Sequence, residues 1–378
     1  MHRNKKYIFI ILVLILLLFT IDIILFLNRI KLWVYFNNKK YTLPISYSSN
    51  NTFYITAMVV NMEAIIDNYI EQMKKLIKYL GNENVIVSIV ENGDSKDRTR
   101  DYLRYFQNYL NNEKVINKFL LNHDIDDPRK HNFRLKYSPL RIKFYAQLRN
   151  KCFDLLYEIP NLDFNKVTII YFNDIFFEYE DIINLLATNN EDFDAACGMD
   201  FSDVFYDRWV SIDLSGNSFR KRFPYIMNKE GQDLIINHKP IRVFSCWNGV
   251  IVFKASPLKN KKVKFRYKNN NRIPKYRINN DQHVNFESEC TYFHIDLFNL
   301  GYTKKFVNPD VRVTYNYAYY LQKKYYYPNV IDYKNYLNFY FNSFKGKRNK
   351  LMSNYKDRNI KLNTMLNNWY LENKINIK

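Results

Sequence analysis

The sequence predicts an α/β fold, with a mostly parallel sheet covered by helices on both faces, standing behind one apolar N-terminal segment. Short, almost wholly apolar runs carry the sheet: FYITAMVV at 53–60, VIVSIV at 85–90 and VTIIYF at 167–172. Such runs suit strands buried on both sides, whereas a strand with one wet face alternates. The stretches between them place apolar residues at helical spacing, and this strand–helix alternation is what parallel crossovers need.

From Tyr7 to Leu27 the chain is YIFIILVLILLLFTIDIILFL, in which Asp22 is the one charged residue. About 20 apolar residues cross a bilayer. The run is longer than the apolar region of a secretory signal and has no small-residue cleavage site, so an uncleaved anchor is expected over 7–27. Arg3, Lys5 and Lys6 precede it and Arg29, Lys31, Lys39 and Lys40 follow, so flanking charge does not set the orientation. The simplest topology is a cytoplasmic tail at 1–6 with the rest translocated. A polar stem is expected at 28–51, carrying Pro44 and a glycosylation acceptor, Asn50-Asn51-Thr52.

The globular pattern starts with the 53–60 strand. It feeds a helix with Ile65, Ile66, Tyr69, Ile70, Met73, Leu76, Ile77 and Leu80 on one face, Asn61 as cap and Gly81 as stop. The 85–90 strand ends at Glu91-Asn92-Gly93. A helix capped by Ser95 or Asp97 follows, directing Tyr102, Leu103, Phe106, Tyr109 and Leu110 inward. Ser138-Pro139 opens a third helix whose inner face runs Leu140, Phe144, Leu148, Cys152 and Leu155. The 167–172 strand is broken by Asn173-Asp174. Further on, strands are expected at 193–199 and in two pieces within 243–253, joined as a hairpin through Asn248-Gly249. Residues 259–277 hold nine basic residues and no acidic one, which predicts a solvated loop. A helix over 287–300 stopped by Gly301, a short strand at 304–307 and a basic Tyr/Asn/Lys-rich extension at 321–378 complete the reading.

Composition narrows the function. Forty-seven per cent hydrophobic and 17% aromatic residues exclude a disordered chain. A net charge of +20 invites nucleic acid, but no nucleic-acid partner is expected of a chain that opens with a membrane anchor. GxGxxG, GxxxxGK[ST], GxSxG, HExxH and CxxC are all absent, and the six histidines are scattered. Cys152, Cys197, Cys246 and Cys290 leave their pairing open, free buried thiols included.

Ligands of open parallel sheets bind beyond the carboxyl ends of strands, which puts Glu91, Asn92, Asn173 and Asp174 on one rim. A carboxylate there can hold Mg2+ or Mn2+ against a nucleotide diphosphate, because hard cations take oxygen ligands and leave room for phosphate. Asn173-Asp174 can equally be a turn that ends a strand. Trp209 and Trp247 are sugar-stacking candidates or core residues, and Arg149 is a fixed cation at the rim or a surface arginine.

Several blocks add a resemblance. Glu91-Asn92-Gly93 with Ser95-Lys96-Asp97, Leu148-Arg149-Asn150, Phe172-Asn173-Asp174-Ile175, Asp194 to Phe201, Tyr206-Asp207-Arg208-Trp209, Arg242 to Gly249 and Ser288-Glu289-Cys290 occur in that order. Over roughly residues 53 to 316 they resemble the fungal alpha-1,3-mannosyltransferase family that includes the cryptococcal capsule-associated proteins. The resemblance implies a GT-A-like catalytic domain over 52–320 and a single-pass type II protein of the Golgi or secretory-pathway membrane. It also implies retaining transfer from GDP-mannose to a glycan acceptor with Mn2+ (or Mg2+). Asp174 would be the metal-binding member of the family's counterpart to DxD. Phe172 stands where the first Asp would be, leaving Asn173 or Glu91 for the ribose. Glu91, Asn92, Arg149 and Asn173 fall to the donor, and Trp209, Trp247 and Asn248 to the acceptor. Glu289 is the candidate carboxylate on the far face of the sugar, with Asp200 and Asp207 as rivals. The rival function is a non-catalytic glycan-binding or scaffold protein of the same fold.

Overall fold

Alternate strand residues go to opposite faces of one sheet and build two cores. In β4 (Val167–Phe172), Val167, Ile169 and Tyr171 join one cluster while Ile170 and Phe172 join the other. The computed structural model describes residues 51–121, 139–267 and 288–316 apart from 94 and 203, short strands at 276–278 and 281–283, and five positions between 13 and 21. Apart from those five positions, the anchor expected at 7–27 lies outside the described residues, as do Asn50 and the 321–378 extension. Among the described residues no helix is long and apolar enough to cross a membrane.

The sheet has nine strands in the order β3 (Ile116–Leu120), β2 (Val85–Glu91), β1 (Thr52–Val59), β4, β8 (Val250–Lys254), β5 (Ala195–Phe201), β11 (Lys305–Thr314), β7 (Ile241–Ser245) and β6 (Ile212–Asp213). A separate antiparallel pair joins β9 (Tyr276–Ile278) to β10 (Asp281–His283). β1 to β4 pair in parallel, as expected of buried apolar runs. β8 runs against both β4 and β5, and β7 runs against β11 and β6, so the sheet is mixed. The carboxyl ends of β1, β2, β4, β5 and β11 therefore share one edge.

Helices α1 (Ile66–Leu80), α2 (Thr99–Asn112) and α5 (Tyr179–Leu186) cover one face. Helices α3 (Pro139–Lys151), α4 (Asp154–Glu158), α6 (Lys229–Ile236) and α7 (Glu289–Asn299) supply the other. The inner face of α1 is as the periodicity predicts, and Gly81 at φ 88° stops it. The expected caps do something else. Asn61 Oδ1 accepts from the Lys96 amide, Ser95 Oγ accepts from the Asn61 amide, and the Asp97 carboxylate accepts from the Glu63 and Thr99 amides. Asn61, Ser95 and Asp97 thus tie the loop after β1 to the loop after β2, and of the three only Asp97 also holds an amide at the start of a helix, that of Thr99.

Four further expectations change. The third helix breaks near Lys151 into α3 and α4, and Leu140 at its start is exposed while Ile142, Phe144 and Leu148 are buried. β7 and β8 do not form a hairpin, because β8 inserts between β4 and β5. Asn248 and Gly249 do have the positive φ values, 50° and 76°, that a tight turn demands. Here they let the chain pass close to its neighbours: a Cβ on Gly249 would lie 2.9 Å from Val313 and 3.1 Å from Ile175. The basic stretch is not wholly solvated, since Val263 and Phe265 are buried and Phe265 stacks on Phe293. The strand expected at 304–307 continues to Thr314 through a register shift that takes up Asn308–Val311 and Pro309.

Candidate active site

β4 ends at Phe172, and the Asn173 amide donates to the Gly249 carbonyl at 2.8 Å, which turns the chain outward. Asp174 is exposed at this edge. Enough protein surrounds its carboxyl to raise it above the ordinary value by desolvation, an effect partly offset by its own backbone amide and by the Arg149 charge. Among the described residues no other side chain hydrogen-bonds to it.

Glu91 lies at the end of β2 on the same edge, fully buried. Its carboxylate accepts from Arg100 Nε at 2.9 Å and from the Ser95 amide at 3.1 Å, while Arg100 Nη2 also donates to the Gly93 carbonyl at 2.6 Å. The glutamate proposed for a ribose is thereby committed to closing its own loop. Asn92 beside it is buried, and its Oδ1 has no hydrogen-bond partner.

Three other predicted residues are stacked together. Glu289, the first residue of α7, accepts from Arg149 Nε at 3.0 Å and from Ser288 Oγ at 3.1 Å. The Arg149 guanidinium lies 4.3 Å over the Trp247 ring, with Tyr171 and Phe265 also against it. Trp247 is 1% exposed, so it is a core ring covered by a cation rather than a platform a sugar can reach. Glu289 is likewise buried and faces Arg149, not solvent. Arg149 Nη1 is buried without a partner.

From Trp247 the network continues. Trp247 Nε1 donates to Asn173 Oδ1 at 3.2 Å, and Asn173 Nδ2 donates to the Tyr315 hydroxyl at 3.2 Å. Tyr315 in turn donates to Asp200 Oδ2 at 3.1 Å, and Asp200 Oδ1 accepts from the Asp207 amide at 3.0 Å. Glu289, Arg149, Trp247, Asn173, Asp200 and Asp207, all singled out in the sequence, thus belong to one continuous set. Tyr315 is the member that sequence reasoning missed. Burial holds the Asp200 and Asp207 carboxyls above the ordinary range, and the negative charge of Asp207 adds to the effect on Asp200. Asp207 is half-buried, in the loop that also carries the exposed Tyr206 and Trp209. Tyr206 packs on Tyr315 with centroids 5.1 Å apart. Asn248 is buried behind them: its Oδ1 accepts from Ser211 Oγ and its Nδ2 donates to the Gly198 carbonyl, so its role is to hold the loop rather than touch an acceptor.

Cys197 and Cys246 form a disulfide joining β5 to the end of β7, and Cys152 and Cys290 are free and buried. His294 lies close to that disulfide, but neither sulfur remains a thiolate able to bind metal. A hard cation fits Asp174 better. It offers an accessible carboxylate at a strand end, and a cation so placed keeps positions for phosphate oxygens and water.

The fold and this edge define an α/β protein with acidic and aromatic side chains gathered at the carboxyl ends of its parallel strands. The chain belongs to the family described as Cryptococcal mannosyltransferase 1, which it matches over residues 52–296. It is 23% identical over 300 residues to alpha-1,3-mannosyltransferase CMT1 of Cryptococcus neoformans var. neoformans serotype D, a match that takes in 73% of this chain and 60% of that protein's length. Among solved structures, mannosyltransferase PcManGT from Pyrobaculum calidifontis in complex with GDP-Man and Mn2+ is similar at 11% identity and TM-score 0.39, over 78% of this chain and 67% of that one. S. aureus TarS 1–349 is similar at 12% identity and TM-score 0.39, over 70% and 60%.

Proposed function

We propose that this protein is a membrane-anchored mannosyltransferase with a GT-A-like domain, moving mannose from GDP-mannose to a glycan hydroxyl as an alpha-1,3 linkage with retention. Family membership supports the sugar, and the name of the 23% identical relative supports the linkage. The observation that carries the site is Asp174, an accessible carboxylate at the end of a buried parallel strand, whose neighbour Asn173 is engaged by Trp247 and Tyr315.

Asp174 is the residue to hold Mn2+ (or Mg2+), which when bound neutralises charge developing on the departing diphosphate. Asn173 presents Asp174 at the rim and is itself fixed on three sides, by Gly249, Trp247 and Tyr315. Arg149 is a permanent positive charge within electrostatic reach of both Asp174 and Asp207, held in place by Glu289. Asp207 is the carboxylate best placed to stabilise an oxocarbenium-like sugar, since it is half-buried on a loop tied through Asp200 and Tyr315 to the Asn173-Asp174 turn. Exposed Tyr206 and Trp209 flank it and offer rings to an acceptor sugar. A lumenal domain behind the 7–27 anchor, in the Golgi or secretory pathway, is supported by the buried Cys197–Cys246 disulfide, because disulfides persist in oxidising compartments.

The test is turnover of GDP-mannose against other nucleotide sugars by the detergent-solubilised full chain, with and without Mn2+. Metal-dependent, mannose-selective turnover is expected. Glycan binding without turnover of any donor, in the presence of candidate acceptors, overturns this reading in favour of the non-catalytic one.

A further inference from the structure

We infer that Tyr315 is a positioning residue: its hydroxyl is a side-chain bridge that couples the Asn173-Asp174 turn to the Asp207 loop, in addition to the path through Trp247, Asn248 and Gly249. The two segments come from different parts of the chain. The first follows β4, and the second follows β5 and carries Tyr206, Asp207 and Trp209. Between them lies a relay in which the Tyr315 oxygen accepts from Asn173 Nδ2 at 3.2 Å and donates to Asp200 Oδ2 at 3.1 Å. Asp200 passes the restraint on through its other oxygen, which holds the Asp207 amide at 3.0 Å.

Tyr315 reaches this point because β11 continues beyond its register shift. Thr314 pairs with Phe201, the Tyr315 amide donates to the Phe201 carbonyl at 3.2 Å, and the Phe176 amide donates to the Thr314 carbonyl at 2.7 Å. The backbone is thus pinned on both sides, and the hydroxyl is brought to a fixed place between the two segments. A phenol suits that place, since one oxygen accepts one hydrogen bond and donates another along a defined line. Phenylalanine keeps the ring packing against Tyr206 and removes only the bridge.

The kinetic part of the test rests on the glycosyl-transfer reading, and the exchange part does not. In the full chain, Tyr315→Phe is expected to speed amide hydrogen exchange roughly tenfold in both 173–175 and 207–211, leaving β1 and β2 unchanged, as loss of one hydrogen bond in the relay predicts. The isosteric Asp200→Asn, which weakens the same relay from its other side, is expected to loosen the same two segments. With GDP-mannose and Mn2+, Tyr315→Phe is expected to lower kcat roughly tenfold while KM for donor stays within about twofold, because orientation is lost and donor contacts are kept. Faster exchange at one segment alone, at neither, or throughout the sheet overturns the inference, as does an unchanged kcat in an active enzyme. A wild-type chain that turns over no nucleotide sugar would count against the proposed function, and the exchange result would still decide the role of Tyr315.

Discussion

Two strand ends on one sheet edge carry the same local signature and have different fates. β2 closes on Glu91-Asn92 and β4 closes on Asn173-Asp174, each an acid beside an asparagine after a buried apolar strand. Glu91 is fully buried, paired with Arg100 and the Ser95 amide. Asp174 is exposed, and its neighbour Asn173 absorbs the local hydrogen bonding. A carboxylate that closes a loop is spent on the fold, while one left exposed at a strand end is available for chemistry. The two tryptophans repeat the contrast. Trp247 is 1% exposed beneath Arg149, whereas Trp209 is 37% exposed beside Asp207.

That contrast is easiest to break at Asp174. Asp174→Ala is expected to reduce donor turnover roughly 10^3-fold, the rate equivalent of several kcal/mol of charge stabilisation, with the melting temperature held. Trp247→Ala is expected to do the reverse, costing about 3 to 5 kcal/mol of stability in denaturant unfolding, as large-to-small core changes do. Glu91→Ala should cost about 3 kcal/mol by leaving Arg100 with a lost partner, while turnover per folded molecule stays near wild type.

A smaller effect comes from Asp200. Burial and the Asp207 charge raise it to about 8, above the value near 4 of an unfolded chain, so the folded state binds more protons in between. Its contribution to stability is full below about pH 4 and is lost as pH rises toward 8. Wild type should therefore lose melting temperature across that range more steeply than Asp200→Asn. Lys305 and His294, whose values burial lowers, contribute equally to both proteins, whereas Asp207, raised by burial and facing Asp200, does not, so both proteins are compared in an Asp207→Asn background. The mildest change is Trp209→Ala, expected to raise KM for a glycan acceptor severalfold with donor hydrolysis and melting temperature unchanged, read from acceptor titrations.

The parallel half of the sheet is legible in the sequence because strands buried on both faces are written as unbroken apolar runs, and α1 and α2 show one apolar face. The other half is less so. Asn248-Gly249 supplies positive φ for either a hairpin or a close approach, and only the insertion of β8 between β4 and β5 decides which. Pro309, with Asp310 and Arg312 near it, interrupts the apolar pattern of β11, so the strand that delivers Tyr315 reads as ended. Tyr315 is itself one of 33 tyrosines with no local mark to single it out. At the site, strand-end position finds both Glu91 and Asp174, but their difference depends on Arg100 folding back from α2. No pattern of residue types at the strand end records that contact.

Calorimetric titration of GDP with Mn2+ into the full-length wild type, Asp174→Ala and Glu91→Ala tests the distinction most directly. Metal-dependent binding is expected of wild type and of Glu91→Ala at a temperature where both are folded, with loss of the metal dependence in Asp174→Ala. Metal-dependent binding that survives Asp174→Ala and disappears in a folded Glu91→Ala would contradict it.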